Sequence, residues 1–256
     1  MSVTVKVWRE RAQRPVQPEH GSSLSADEVP GLSFESHVWY LMCVSSEHLT
    51  FALEAMRATK TMYPTAYMTV ARTAFLAAVN AVWLLAAQSR QERRERIVKL
   101  RADELRVQAT SLDTMTVPEG EPERALSDLM VQIRSKQLAL QAIATDLGVS
   151  EPVAKMRLNQ TRVIDWVATY MHGEGSELLV GGNQNIWRSG SAAAHAQMHF
   201  GLMRQEQNEI LSDGTGATVL NLRGNLEMDV GPAMVGAFLA LNEAFRLYDL
   251  RRAKHL

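Results

Sequence analysis

The segment Ile186-Trp-Arg-Ser-Gly-Ser-Ala-Ala-Ala-His195 carries the residues best suited to chemistry in this 256-residue chain. Arg188 and His195 are seven positions apart, so in an α-helix they share one face, two turns from each other. A histidine exchanges a proton near neutral pH, and a guanidinium holds a phosphate with two parallel donors. The pair suits cleavage of an RNA backbone by its own 2'-hydroxyl without a metal ion. The alternative roles are helix packing for His195 and capping or salt bridging for Arg188.

Three polar residues on earlier predicted helices are candidates for orienting this pair. Arg72 and Asn80 interrupt an otherwise apolar segment, and Glu54 lies on the amphipathic segment before it. A polar side chain buried among helices needs a hydrogen-bond partner. We therefore expect Arg72, Glu54 or Asn80 to support Arg188 and His195 from adjacent helices.

A metal site is the next alternative, because His195 and His199 have the i,i+4 spacing by which a helix offers two imidazoles to one ion. The intervening Ala-Gln-Met supplies no glutamate base, as a metalloprotease helix would. The sequence places no third ligand nearby. We therefore predict neither a metal nor any other cofactor.

An arginine followed after four to six residues by a histidine, within a helical protein, resembles the signature of HEPN domains. These are often metal-independent endoribonucleases of toxin and phage-defence systems, and they commonly build the site across a dimer. The resemblance implies a homodimer that acts on RNA, with Arg188 holding the phosphate, His195 as general acid or base, and Arg72 and Glu54 completing the site. The segments around Arg72 and His195 are also similar to helical proteins of actinobacteria and their phages, a similarity that implies no activity.

Residues 140–158 resemble the helix-turn-helix of sigma-factor-like and response-regulator DNA-binding domains. Gly148 supplies a turn, and Ser150 can cap a second helix. The basic residues that would face DNA are Lys155, Arg157 and Arg162. A second hypothesis is therefore a DNA-binding or partner-binding regulator, and a third is a non-catalytic helical interaction protein.

Composition limits the class of protein. With 46% hydrophobic and 21% charged residues, the chain is neither disordered nor collagen-like, and one cysteine excludes an internal disulfide. A net charge of -1 gives no global attraction to phosphate and so weakens the expectation of nucleic-acid contact, although seven basic residues lie between positions 90 and 106. DNA is a weaker expectation than RNA, because Asp146, Glu151 and Asp165 offset the basic residues of the helix-turn-helix-like segment. No charged start precedes an apolar run at Met1, so we expect a cytoplasmic protein.

The elements that must position the site are helices, since long tracts lack proline. We predict an all-α bundle of about six to seven helices, with a loosely docked or flexible tail over 1–32, a single domain over 33–256 and a β-hairpin at about 217–230. Segment 67–87 is long enough to cross a membrane, but Arg72 and Asn80 favour a central bundle helix, so we expect no membrane partner. The predicted helices cover 34–60, 67–87, 89–110, 122–147, 157–171, 190–205 and 232–253.

Overall fold

The computed structural model describes residues 1–202, 210–212, 218–220 and 225–254. These residues form an all-α protein, which confirms the predicted class. The helices are α1 (Ser2–Ala12), α2 (Ser23–Asp27), α3 (Phe34–Thr59), α4 (Pro64–Ala86), α5 (Arg90–Asp113), α6 (Glu121–Asp146), α7 (Gln160–His172), α8 (Glu177–Ala194), α9 (Met198–Leu202) and α10 (Gly231–Arg252). The ends of α3 to α7 and of α10 lie within three residues of their predicted positions.

Local signals explain where the long helices begin. The Ser89 hydroxyl accepts a hydrogen bond from the Glu92 amide at 3.0 Å and so caps α5. Helix α6 follows Gly120, whose φ of +105° suits glycine, and it carries a proline in its first turn, where no amide donor is needed. Ser89, Gly120 and the proline thus set the starts of α5 and α6 through local interactions alone.

Backbone contacts divide the chain into two compact units. Unit 1 comprises residues 1–17, 38–85 and 161–250, and unit 2 comprises 18–37, 86–160 and 251–256. Each unit therefore combines three separate stretches of sequence. The single domain predicted from residue 33 onward stays a prediction.

Unit 1 is built around an aromatic cluster. The Trp8 ring lies 5.0 Å from that of Phe238 and 5.4 Å from that of Phe245, and the Trp39 ring lies 5.0 Å from that of Tyr248. Aromatic pairs at such distances add to the energy of burying their surface. Helix α1 is held by this cluster, within the stretch predicted as a flexible or loosely docked tail.

Helix α4 is the apolar helix that the sequence singles out. Among the described residues it is the one helix long and apolar enough to cross a membrane, and 61% of its most apolar window is buried inside the protein. Arg72 and Asn80 are both half-buried on it. Since a core helix and a membrane-spanning helix share this composition, the cytoplasmic location stays a prediction.

Unit 2 is organised by α5, which packs along α6 and against α2. A buried ion pair joins α2 to α5, with Asp27 Oδ2 2.6 Å from Arg93 Nε and Asp27 Oδ1 2.8 Å from Arg93 Nη2. Arg93 also donates to the carbonyl of Ala87 at 2.9 Å. Both members of the pair thus keep hydrogen bonds away from water, as buried charges require.

The hairpin predicted at about 217–230 is wrong. Residues Leu226–Val230 form a π-helical turn, because the Asn225 side chain accepts hydrogen bonds from the amides of Glu227 and Met228 and so starts a helical turn. The short alternation of apolar residues there does not reflect a strand. Strand β1 (Ile210–Ser212) pairs antiparallel with β2 (Thr218–Leu220), and part of the predicted turn, at 223–224, lies outside the described residues.

Candidate functional site

Helix α8 carries both residues of the predicted catalytic pair, and its bounds differ from the prediction. The helix spans Glu177–Ala194 and includes three of the five glycines of the glycine-rich stretch 173–190. The helix predicted over 190–205 is therefore wrong. Gly173 and Gly175, with φ of +85° and +89°, form the turn before it. Intrinsic propensity disfavours glycine in a helix by about 1 kcal/mol, and tertiary packing has overridden it.

The C-terminal end of α8 separates the two histidines of the alternative metal site, His195 and His199. His195 is the C-cap, Ala196 has a φ of +51°, and the Gln197 amide bonds to the Ala192 carbonyl at 2.9 Å. His199 lies on the next helix, α9, so the i,i+4 geometry proposed for His195 and His199 is wrong. Among the described residues, no group of three or more His, Cys, Asp or Glu side chains could hold a metal ion.

Arg188 and His195 are both exposed at the C-terminal end of α8. Seven residues turn an α-helix by almost two full turns and advance it by about 10 Å, so the two side chains project from the same side. Within the described part of the chain, neither side chain forms a hydrogen bond or ion pair. Both groups are thus exposed, and among the residues that the structure describes neither packs in the core nor forms a salt bridge.

Arg72 lies against α8 from helix α4. A Cβ atom added to Gly190 would be 2.5 Å from the Arg72 Cβ, and the Arg72 guanidinium carbon is 4.3 Å from the centre of the Trp187 ring. Burial lowers the pKa of Arg72, and its buried Nε has no hydrogen-bond partner. The structure therefore brings Arg72 to the helix of the predicted site, where it stacks on the neighbour of Arg188.

Glu54 is not brought to α8 by any contact of the described residues. It is exposed on α3 and pairs with Arg9, whose Nη1 lies 2.9 Å from Glu54 Oε1. The two residues border a cavity formed mainly by α1 and α3. The polar run Cys43-Val-Ser-Ser-Glu-His48 interrupts the apolar pattern of α3, and this signal could have revealed the cavity from sequence.

A second cavity, of about 420 Å³, lies beside α8. Its lining includes Asn183 and Ser189 of α8, His172 of α7 and Asp229 of the π-helical turn. Neither Arg188 nor His195 lines it, so the predicted pair lies on an open surface and not in this cavity.

The basic run of α5 is largely structural. Four of its arginines pair with carboxylates, and Arg94 donates to the backbone carbonyls of residues 26–28. The four ion pairs are Arg93 with Asp27, Arg96 with Glu92, Arg101 with Glu104, and Arg106 with Asp103. Charges that are already paired offer little to a phosphate backbone.

The second helix of the predicted helix-turn-helix at 140–158 is absent. Helix α6 ends at Asp146, Gly148 forms the turn with a φ of +73°, and residues Val153–Lys155 make a single 3-10 turn. The Val153 amide donates to Gln141 Oε1 at 2.8 Å, and buried Val153 and Met156 hold this segment in place. The recognition helix on which the DNA-binding hypothesis depends is therefore missing.

No family model matches the chain, and comparisons with curated proteins and with solved structures found no significant match. The resemblance to HEPN domains and to helical proteins of actinobacteria and their phages therefore stays a prediction.

Cys43 lines the cavity between α1 and α3, and its reactivity is predictable. Burial raises the pKa of the Cys43 thiol, and the negative charge of Glu47 raises it further. Because the thiolate is the nucleophile, alkylation by iodoacetamide at neutral pH should be slower than for a free thiol, rising about tenfold per pH unit below the pKa. Glu47→Gln removes a charge that opposes ionisation, so it should increase the rate at a given pH.

This prediction is tested by following alkylation of Cys43 by mass spectrometry between neutral and alkaline pH. Glu119→Gln, in an exposed loop, is the matched control and should leave the rate unchanged. Equal rates for Glu47→Gln and the unaltered protein would show that the Glu47 charge does not act on the thiol.

Proposed function

We propose that this protein is a HEPN-like, metal-independent endoribonuclease whose site lies at the C-terminal end of α8. The observation that carries the proposal is that Arg188 and His195 project from the same side of α8, both exposed and neither engaged with another described side chain. A guanidinium and an imidazole on one surface supply a phosphate clamp and a proton acceptor. A toxin or phage-defence role belongs to this proposal through the HEPN resemblance.

The proposed reaction needs only these two side chains and the RNA. His195 accepts the proton of a 2'-hydroxyl, the 2'-oxygen bonds to the adjacent phosphorus, and the bond from phosphorus to the 5'-oxygen breaks. The leaving 5'-oxygen takes up a proton from the imidazolium. Arg188 holds the phosphate and stabilises the charge that develops on its oxygens. The products are a 2',3'-cyclic phosphate and a 5'-hydroxyl end.

Arg72 is a positioning residue in this proposal. It contacts Trp187 and Gly190, which precede and follow Arg188 on α8, and so fixes the rotation of the helix about its axis. Glu54 has no such role, since it pairs with Arg9.

A homodimer is part of the proposal because one copy presents the pair on an open surface. Catalysis by positioned groups requires that the substrate be held between them and that water be partly excluded. A second α8 surface would supply the opposing wall and a second pair of groups. Measurement of molecular mass in solution by light scattering tests whether the protein is a dimer. A monomer that cleaves RNA would contradict the proposed homodimer.

Cleavage of RNA tests the catalytic roles directly. Purified protein is incubated with mixed RNA in the presence of a chelator, and the ends are analysed for cyclic phosphate. We expect His195→Ala to lower the rate about 10²- to 10⁴-fold, the range for loss of a general acid or base. We expect Arg188→Ala to lower it as well, and Arg188→Lys to restore part of the loss because it keeps the charge but not the two-donor geometry.

His199→Ala is the matched control, since His199 is an exposed histidine on the adjacent helix α9 and has no role in the proposed reaction. It should cleave RNA at the unaltered rate. Equal cleavage by His195→Ala and the unaltered protein, or no cleavage by the unaltered protein, would contradict the proposed function.

A further inference from the structure

A cavity of about 610 Å³ lies in unit 1, lined by residues of α1 and α3 together with Val70 of α4. Its volume is in the range of small-molecule sites, which run from about 300 to 1,000 Å³. Much of its wall is apolar, with Ala12, Val70 and Phe51 contributing. No residue of α8 lines it, so it is separate from the proposed ribonuclease site.

One residue of the cavity wall carries a buried hydroxyl without a partner. Ser46 is 1% exposed, lines the cavity, and has no hydrogen-bond partner for its Oγ. Buried hydroxyls in folded proteins nearly always have a partner, and leaving one unpaired costs about 1–3 kcal/mol. The adjacent Ser45 is also buried and unpaired, but it does not line the cavity.

His48 and Glu47 add acceptor atoms to a wall that also holds the polar side chains of Arg9, Gln13 and Thr50. His48 Nδ1 lies 2.9 Å from the Val44 carbonyl, and because a carbonyl only accepts, Nδ1 carries the hydrogen and Nε2 is the acceptor of the neutral ring. Glu47 adds a carboxylate that no described residue pairs with. Ser46 Oγ, His48 Nε2 and the Glu47 carboxylate therefore leave acceptor capacity for a ligand.

The charge of the wall is negative. Glu47 and Glu54 carry two negative charges, and Arg9, the cation of the wall, is held by Glu54 at 2.9 Å. An anionic ligand would have to approach the carboxylates of Glu47 and Glu54, and the charge of Arg9 beside them is already balanced by Glu54. A protonated amine would instead balance the Glu47 charge and donate to the acceptors.

We propose that this cavity binds an organic amine, with the protonated amino group held by Glu47 and Ser46 and an apolar body packed against Phe51 and Val70. Phe51 lines the cavity and is 59% exposed, so a bound ligand would cover apolar surface of its ring that water contacts in the free protein. The site lies on residues that the proposed nuclease activity does not use, so each proposal stands or fails without the other.

The single cysteine of the chain reports occupancy, because Cys43 lines the cavity. The probes are n-hexylamine and 2-phenylethylamine, with n-hexanol and hexanoate as neutral and anionic counterparts of similar shape. Alkylation of Cys43 at alkaline pH is measured over a range of probe concentrations, and calorimetry of the full-length protein gives the affinity. We expect both amines to slow alkylation severalfold at saturation, and the alcohol and carboxylate to bind at least about tenfold more weakly.

Two variants assign the polar contacts. Ser46→Ala and Glu47→Gln should each weaken amine binding about tenfold, the loss expected for a hydrogen bond to a charged group. Since Glu47→Gln also changes the reactivity of the thiol, the quantity compared is the ratio of alkylation rates with and without amine. Ser45→Ala is the matched control and should bind amines with unchanged affinity.

The outcomes decide the proposal. Protection by hexanoate equal to that by n-hexylamine would overturn the assignment of a cationic ligand. Equal effects of Ser45→Ala and Ser46→Ala would remove Ser46 from the site. Absence of protection and of calorimetric binding by both amines at millimolar concentration would overturn the site as a whole.

Discussion

Replacing Asp27 with alanine is expected to lower the free energy of unfolding by about 3–5 kcal/mol, because it leaves the charge of Arg93 buried without its partner. The side chains of Asp27 and Arg93 are 0% and 4% exposed, so water cannot replace the two lost hydrogen bonds. All five tryptophans of the chain lie in unit 1, whereas this pair lies in unit 2. Urea unfolding should therefore be followed by far-ultraviolet circular dichroism, which detects helices of both units.

Asp103→Ala is the matched control for the buried pair. Asp103 pairs with Arg106 on the same helix α5, but the two side chains are 23% and 31% exposed, and such pairs contribute about 0–1 kcal/mol. Asp27→Asn is the milder variant, since it keeps the shape and one acceptor if the alanine variant does not fold. Equal losses for Asp27→Ala and Asp103→Ala would show that the buried pair is not a principal support of unit 2.

Gly190→Ala is expected to destabilise unit 1 by about 1–3 kcal/mol, the usual cost of inserting a methyl group into a packed contact. The added Cβ would lie 2.5 Å from the Arg72 Cβ and 3.1 Å from its Cγ and Cδ, so α8 and α4 would have to move apart. The same displacement would disturb the stacking of Arg72 on Trp187. Urea unfolding followed by tryptophan fluorescence measures this change within unit 1.

Gly181→Ala, on the same helix, should change the free energy of unfolding in the opposite direction. A Cβ at Gly181 meets nothing within 4 Å, so alanine should stabilise α8 by about 0.4–1 kcal/mol through its helix propensity. If Gly190→Ala did not lower the free energy of unfolding relative to Gly181→Ala, the close approach of α4 and α8 would be contradicted.

The candidate site could be predicted from sequence only in part. The spacing of Arg188 and His195 predicts a shared face if both residues are helical, and α8 meets this condition although the predicted helix began only at residue 190. The same reasoning wrongly continued the helix to 205, because no sequence pattern indicated that Ala196 would adopt a φ of +51°. Glu54 was assigned to the site from its helix alone, and helical spacing carries no information on which helix lies next to which.

The excess of basic residues between 90 and 106 is a second case in which the sequence does not show which residues are neighbours in space. The sequence predicts a charged helix, and α5 is one. Burial of Arg93 within unit 2 depends on its contact with Asp27, a residue distant in the chain. The basic run between 90 and 106, whose composition suggests a nucleic-acid surface, therefore mainly forms ion pairs within the protein.

What the sequence by itself determined is the all-α class and the positions of six helices, because long periodic apolar patterns and helix-breaking residues act locally. Only the tertiary structure decided that the glycine-rich stretch forms α8, that 226–230 turns as a helix, and that Ser46 is buried beside a cavity. The physical reason is that short segments have weak intrinsic preferences, so the packing energy of neighbours distant in sequence selects their conformation. Burial, ion pairing and cavities arise only when those neighbours meet.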